Sequence, residues 1–254
     1  MQPLFDHSLL YRQITGKRRD LAALPFLEDI AGDIYLRLAP IKRDFEMALN
    51  LYPPTEDIRA ALLASGKIGT LKEKSIEENS DDLENLRLEE KSFDLVFSCL
   101  GLQFANDLPG VLAQIYRSLK PGGFFLGCLA SADTLKELRE AFMAAEAESS
   151  GGVSPRVHPA IDVKQVGALL QRAGFIEPIS DVEKYTFSYD EPLDLLKDLC
   201  IWSPGNLLIE RSRKFLTRTQ LKRMNKIYKK NFSSAEGKIR AQFDLIWYSG
   251  WKKD

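Results

Sequence analysis

The apolar positions of this chain change period along its length. Leu24, Leu27, Ile30, Ile34 and Leu38 recur at the three-and-four spacing of one helix face. At residues 45–51, 93–99 and 124–129 the pattern becomes the short runs FEMALNL, FDLVFSC and FFLGCL. These show little alternation, as expected of strands covered on both faces. Between the last two runs, Leu108, Val111, Leu112, Ile115 and Leu119 form a second helical stripe. Asp107 stands where an N-cap belongs, and Pro121-Gly122-Gly123 ends the helix. Strand, helix and strand in close succession predict a βαβ unit with a right-handed crossover.

The same reading extends outward from this unit. Residues 5–40 read as helices, with Leu9, Leu10 and Ile14 as packing positions of the first. Residues 60–63 continue a helix that Gly66 ends, and 67–71 form a weak second strand. A helix over 133–148 carries the stripe Leu135, Leu138, Phe142 and Ala145, with Asp133 as its cap. Residues 149–159 form a loop. Asp162 and Gln165 begin the next helix as a capping box, and Gly174 closes it. Residues 175–180 and 185–189 are strand candidates. Residues 192–202 read as a helix broken by Pro204-Gly205, and 241–251 as the last strand.

Composition narrows the class. A chain of 254 residues suffices for one elaborated α/β domain. Its net charge of −1 does not point to nucleic acid. Cys99, Cys128 and Cys200 are far apart, His7 and His158 are isolated, and nothing has metal-ligand spacing. No apolar run approaches the length of a membrane span, and the start MQPLFDHSLL lacks the order of a signal peptide, so a cytoplasmic protein is expected. Residues 211–230 hold nine Lys and Arg and no Asp or Glu, with Leu216, Met224, Ile227 and Tyr228 as an inward face. That segment is either a solvated helix balanced by acids elsewhere or a basic surface for an acidic partner, with Lys222, Arg223 and Lys226 as its contact residues.

The central unit also carries a family resemblance. FDLVFS, then LQF-NDLP, then a helix ending LKPGGFF resembles the fourth and fifth strands of class I S-adenosylmethionine-dependent methyltransferases. Residues 133–159 and 162–175 are similar to one subfamily, that of the complex I assembly factor that hydroxylates an arginine of an iron–sulfur subunit. The malonyl-carrier-protein methyltransferase of biotin synthesis is a more distant relative. The likeness runs from Phe5 to Trp251 and is specific between Phe93 and Phe175. It implies a Rossmann-like three-layer α/β sandwich with a seven-stranded, mostly parallel sheet whose last strand is antiparallel. It also implies an N-terminal helical cap over 1–44 and a methyltransferase-like domain over 45–254, with a helical insertion near 190–232.

The resemblance places the cofactor site at the end of the first strand, where the family carries D-L-G-x-G-x-G. Here the chain reads Asn50-Leu51-Tyr52-Pro53-Pro54-Thr55-Glu56, so Tyr52, Pro54 and Glu56 replace the three glycines. Glycines permit a tight turn and let the cofactor approach the backbone. Proline fixes φ near −65° and has no N–H. A proline pair is nonetheless a sound helix start, with Thr55 as a cap. The family's ribose-binding acid corresponds to Lys72 or Glu73, its adenine-contacting pair to Asp82-Leu83 or a simple loop acid, and Cys99 ends the neighbouring strand. Leu102-Gln103-Phe104 replaces the family's L-H-W on the substrate side, and glutamine cannot act as a base near neutral pH. Arg156 and His158 lie in the loop that borders the substrate opening in the family, or on a solvated surface. Two functions follow. One is a complex I assembly factor with a degenerate cofactor site that acts by binding a protein. The other is an active S-adenosylmethionine-dependent enzyme, or a protein-arginine-modifying relative, with an unusual cofactor loop.

Overall fold

In a computed structural model, residues 2–16, 27–76, 83–148, 154–213 and 216–254 are described. They fold into two compact units. One contains Asp20–Ala130, Ile161–Glu183 and Ile246–Asp254; the other contains Met1–Arg19, Ser131–Ala160 and Lys184–Leu245.

The first unit holds α2 (Leu27–Leu38), β1 (Phe45–Leu51), α3 (Glu56–Ala64), β2 (Ile68–Lys74), β3 (Phe93–Cys99), α4 (Leu108–Ser118), β4 (Leu119–Ala130) and α6 (Val163–Ala173). It also takes in residues 176–183 of β5 (Ile176–Tyr189) and 246–251 of β6 (Ile239–Trp251). The sheet runs β2-β1-β3-β4-β6-β5, six strands among the described residues where seven are expected. β1 is parallel to β2 and β3, and β3 is parallel to β4 with Phe97 opposite Leu126, as the βαβ reading requires. β6 runs antiparallel to β4. The Gly122 N–H donates to the Lys252 carbonyl (3.1 Å) at one end, and the Ser131 N–H to the Asp244 carbonyl (2.8 Å) at the other.

Local signals explain most boundaries. Asp107 caps α4 by accepting from the Gly110 N–H at 3.0 Å, and Val111, Leu112 and Ile115 bury its stripe. The Asp162–Gln165 capping box forms both of its bonds, and Gly174 takes φ +101° at the end of α6. Ile30, Ile34 and Leu38 are fully buried along α2. The fully buried seven-residue β3 is apolar except at Asp94 and Ser98. Trp247 packs beside Phe97, and Tyr248 meets Phe125 edge-on at 5.5 Å.

Several boundaries differ from expectation. α4 stops at Ser118, because Leu119 is already extended, so Pro121-Gly122-Gly123 lies within β4 rather than in a terminating turn. β5 is one continuous strand instead of two. Thr55 occupies the N-cap of α3, but its side chain makes no capping bond.

The second unit holds α1 (His7–Gly16), α5 (Lys136–Ala147), α7 (Pro192–Trp202), α8 (Arg218–Phe232) and the remaining segments of β5 and β6. Asp133 does not cap α5. Leu135 stands there instead, buried, at φ +53°, with its N–H given to the Gln242 carbonyl at 2.8 Å. That core anchor delays the helix to Lys136. Within this unit Phe5 bridges to Leu208, and Tyr228 on α8 donates its hydroxyl to the Arg240 carbonyl at 2.8 Å. No helix among the described residues is long and apolar enough to cross a membrane.

Candidate functional site

Open α/β sheets place ligands beyond the carboxyl ends of their strands, and Asn50, Tyr52 and Glu73 lie at the carboxyl ends of β1 and β2. Asn50 and Glu73 are register partners on β1 and β2. Asn50 is fully buried, and its Nδ2 donates to Glu73 Oε1 at 2.9 Å. The other Glu73 oxygen lies 3.2 Å from Arg59 Nη1 on α3. Of the two residues weighed at the end of β2, Glu73 lies against Asn50, while Lys72 pairs with Leu49. The Asn50 Oδ1 is buried and accepts no hydrogen bond among the described residues.

Past β1 the chain turns at Tyr52, which takes φ +56°, a left-handed conformation that favours glycine. Its side chain is buried, and its N–H donates to the Lys74 carbonyl at 2.7 Å, which ties the turn to the end of β2. Gly101, just past β3, makes room for it. A Cβ on Gly101 would fall 2.7 Å from the Tyr52 Cβ and 2.9 Å from the Tyr52 carbonyl oxygen. Ser98 fastens the same corner by donating to the Leu51 carbonyl at 2.9 Å. Pro53 and Pro54 follow, partly buried and without N–H groups to offer.

The other predicted residues of this unit that are described make contacts within the fold. Leu83 is buried, and Asp82 lies outside the described residues. Cys99 sits opposite Cys128 in the β3–β4 register, both buried. Burial pushes the Cys128 thiol well above its ordinary value, and neighbouring Cys99 adds to this, so Cys128 is held as an unreactive thiol. Gln103 belongs to a 3₁₀ turn, Leu102–Phe104, and its Oε1 accepts from the Ala130 N–H at 3.3 Å. Phe104 is buried.

Arg156 lies in the second unit, on the wall of a cavity of about 770 Å³. Its Nε and Nη2 lie 2.6 and 2.5 Å from Glu146 Oε1, and the Ser154 N–H donates to the other Glu146 oxygen at 2.7 Å. The Glu146 side chain is 4% exposed, so the guanidinium neutralises a buried carboxylate of α5 rather than facing solvent. Arg139, Phe142, Met143 and Leu4 line other parts of the cavity. His158 nearby accepts from the Leu207 N–H at 2.9 Å and packs edge-on against Phe5. Burial pushes its pKa down to about 4, with the Gly205 backbone opposing part of that shift.

On α8, in the same unit, Met224 and Tyr228 face inward. Lys222 and Lys226 are exposed, and Arg223 Nη1 lies 3.4 Å from the Glu148 carbonyl. No cluster of three or more His, Cys, Asp or Glu able to hold a metal exists among the described residues.

Sequence reasoning missed Arg59, Ser98, Gly101 and Glu146. Glu146 had a signal: it extends the Leu138–Phe142 row by four residues, a buried-face position on α5. Arg59 had none, since a single cation on a surface helix is ordinary.

Comparison with known proteins adds the lineage. Residues 57–127 match the family described as "Methyltransferase domain". Human mitochondrial arginine-hydroxylase NDUFAF5 is 32% identical over 98% of this chain and 77% of its own length. The zebrafish protein of that name is 36% identical over 67% of this chain, which spans 53% of it. A malonyl-[acyl-carrier protein] O-methyltransferase of Halorhodospira halophila is 33% identical over 67% of this chain and 56% of its own length. Among solved structures, a Bacillus halodurans protein assigned to the methyltransferases superposes with a TM-score of 0.58 at 15% identity, covering 89% of this chain and 100% of that one. The chain belongs to the methyltransferase-domain family that contains the NDUFAF5 arginine hydroxylases.

Proposed function

We propose that this protein works as an assembly factor that binds a protein partner, and that its inherited S-adenosylmethionine site no longer takes the cofactor. The observation that carries the proposal is Tyr52. A buried phenol ring follows β1 where the family's first glycine leaves space, held by a left-handed backbone and a matching Gly101. Non-glycine residues occupy that conformation at a cost on the order of 1–2 kcal/mol. The turn keeps the backbone path of a glycine while filling the volume a glycine would leave open.

Two further features support the reading. Pro53 and Pro54 remove two backbone donors from the turn that would face the cofactor's carboxylate in related folds. Glu73, the acid that would accept the ribose hydroxyls, already accepts from Asn50 and pairs with Arg59. The family match begins at residue 57, immediately past the altered turn. By family resemblance, the partner is an iron–sulfur subunit of respiratory complex I or an associated assembly factor.

A second reading rests on Asn50. Its buried, unsatisfied Oδ1 stands at the end of β1, and Glu73 stands beside it. An orphaned acceptor of this kind has a use if a ligand supplies the donor. On that reading the protein is an active S-adenosylmethionine-dependent enzyme with an unusual loop. Thermal unfolding separates the two. A ligand present at 100 times its Kd stabilises a fold by about 2.7 kcal/mol. The first reading expects no rise in Tm with millimolar S-adenosylmethionine or S-adenosylhomocysteine; a dose-dependent rise supports the second.

A further inference from the structure

Helix α8 carries Arg218, Lys222, Lys226 and Lys230 at every fourth position, and all four are exposed. Residues four apart lie one above another on a helix. The four cations therefore form one stripe, spanning about 18 Å at the helical rise of about 1.5 Å per residue. Met224 and Tyr228 are buried on the opposite side.

The stripe is not internally balanced. Lys229, beside it, is paired with Glu191, and Arg223 leans on the Glu148 carbonyl. None of the four stripe residues makes an ion pair among the described residues. Like charges four apart destabilise a helix, and the stripe contains three such pairs. Arg218 also stands in the first helical turn, which contains no acid, although that end of the helix dipole already carries positive charge. The charge pattern thus works against the helix, while the Thr217–Gln220 capping box holds the end that Arg218 opposes.

We infer that this stripe is a docking surface for an acidic protein segment, a helix carrying carboxylates at three-to-four-residue spacing. Such a segment would present its charges at the same axial interval as the cations. The inference rests on the protein-binding reading above and names the surface it would use. Two other polyanions fit less well. Nucleic acid is favoured by a basic molecule with aromatic stacking platforms, but this chain has net charge −1, and Tyr228 is buried with its hydroxyl committed to Arg240. A membrane-surface helix inserts its apolar face into the lipid, but that face of α8 is buried within its own unit.

The test is fluorescence anisotropy with the full chain and three probes: a labelled alanine-based helical peptide bearing glutamate at every fourth position, phosphatidylserine vesicles, and single-stranded RNA. The variant is Lys222→Glu/Lys226→Glu, which places an acid four residues from Arg218 and from Lys230. It should therefore hold its Tm or gain slightly. The expected result is peptide binding that weakens with salt, because exposed charges are screened within about 8–10 Å at physiological ionic strength, and that falls at least about tenfold in the variant, the effect of removing roughly 1.4 kcal/mol of attraction. Equal affinity of both proteins for the peptide, or tighter binding of vesicles or RNA lost in the same variant, would overturn the assignment. Because cofactor binding is read separately, a protein that binds S-adenosylmethionine and still binds the peptide through α8 would sink the proposed function and leave this surface standing.

Discussion

Arg59 and Glu73 form an ion pair of 3.2 Å at the carboxyl end of β2, the edge strand of the sheet. The partners are unequal in what they support. Arg59 is 39% exposed, so its contribution is screened, and Arg59→Ala should cost no more than about 1 kcal/mol. Glu73 also accepts from the buried Asn50 amide, and Glu73→Ala strands that donor, at about 1–3 kcal/mol. Urea denaturation of the two variants should show Glu73→Ala as the more damaging. The reverse order would mean that the amide bond contributes little.

The Arg156–Glu146 pair behaves differently because it is enclosed. Their side chains are 16% and 4% exposed. Removing one partner of a buried pair leaves an uncompensated charge and costs about 3–5 kcal/mol. Arg156→Met should therefore destabilise the protein strongly, while the double variant Arg156→Met/Glu146→Leu should recover most of the loss. A double-mutant cycle by chemical denaturation checks this, and additive single effects would refute it. If Arg156 instead served a ligand, its loss would leave stability nearly intact.

His158 makes stability depend on pH. Its folded pKa of about 4 lies below the ordinary value of 6.5, because burial disfavours the charged ring. The unfolded chain therefore takes up the proton first as pH falls. The contribution is intact above about pH 6.5, declines between 6.5 and 4, and is lost below that, amounting to about 3 kcal/mol at 1.36 kcal/mol per pKa unit. Protonation also removes the acceptor that holds the Leu207 N–H. Urea midpoints measured from pH 7 to 4 should fall less steeply for His158→Asn than for wild type. Parallel curves would assign the acid sensitivity to other groups.

What could be read from residue order was what local chemistry dictates. The parallel β3–α4–β4 unit followed from two unalternating apolar runs around one helical stripe, Asp107 marked the start of α4 by capping, and Asp162 and Gly174 marked the two ends of α6. The start of α5 was misread because Leu135, not Asp133, is fixed there by tertiary contact with β6. The break expected in β5 failed because the alternating exposed positions of an edge strand obscure its continuity. At the cofactor edge, the replacement of glycines was visible, but the compensations were not. Gly101 is about 50 residues from Tyr52 in sequence, and only the fold reveals that it yields space to that side chain. Similarly, Glu73 was one of two alternatives until the β1–β2 register set it against Asn50.

The central claim, that the Tyr52 turn closes the cofactor site, is tested most directly by isothermal titration calorimetry of the purified chain with S-adenosylmethionine. The account expects no saturable heat up to millimolar ligand. It also expects that Pro54→Gly/Glu56→Gly, which leaves Tyr52 in place, remains unresponsive. A micromolar Kd for the wild-type protein would contradict the account and establish the site as a working one despite its missing glycines.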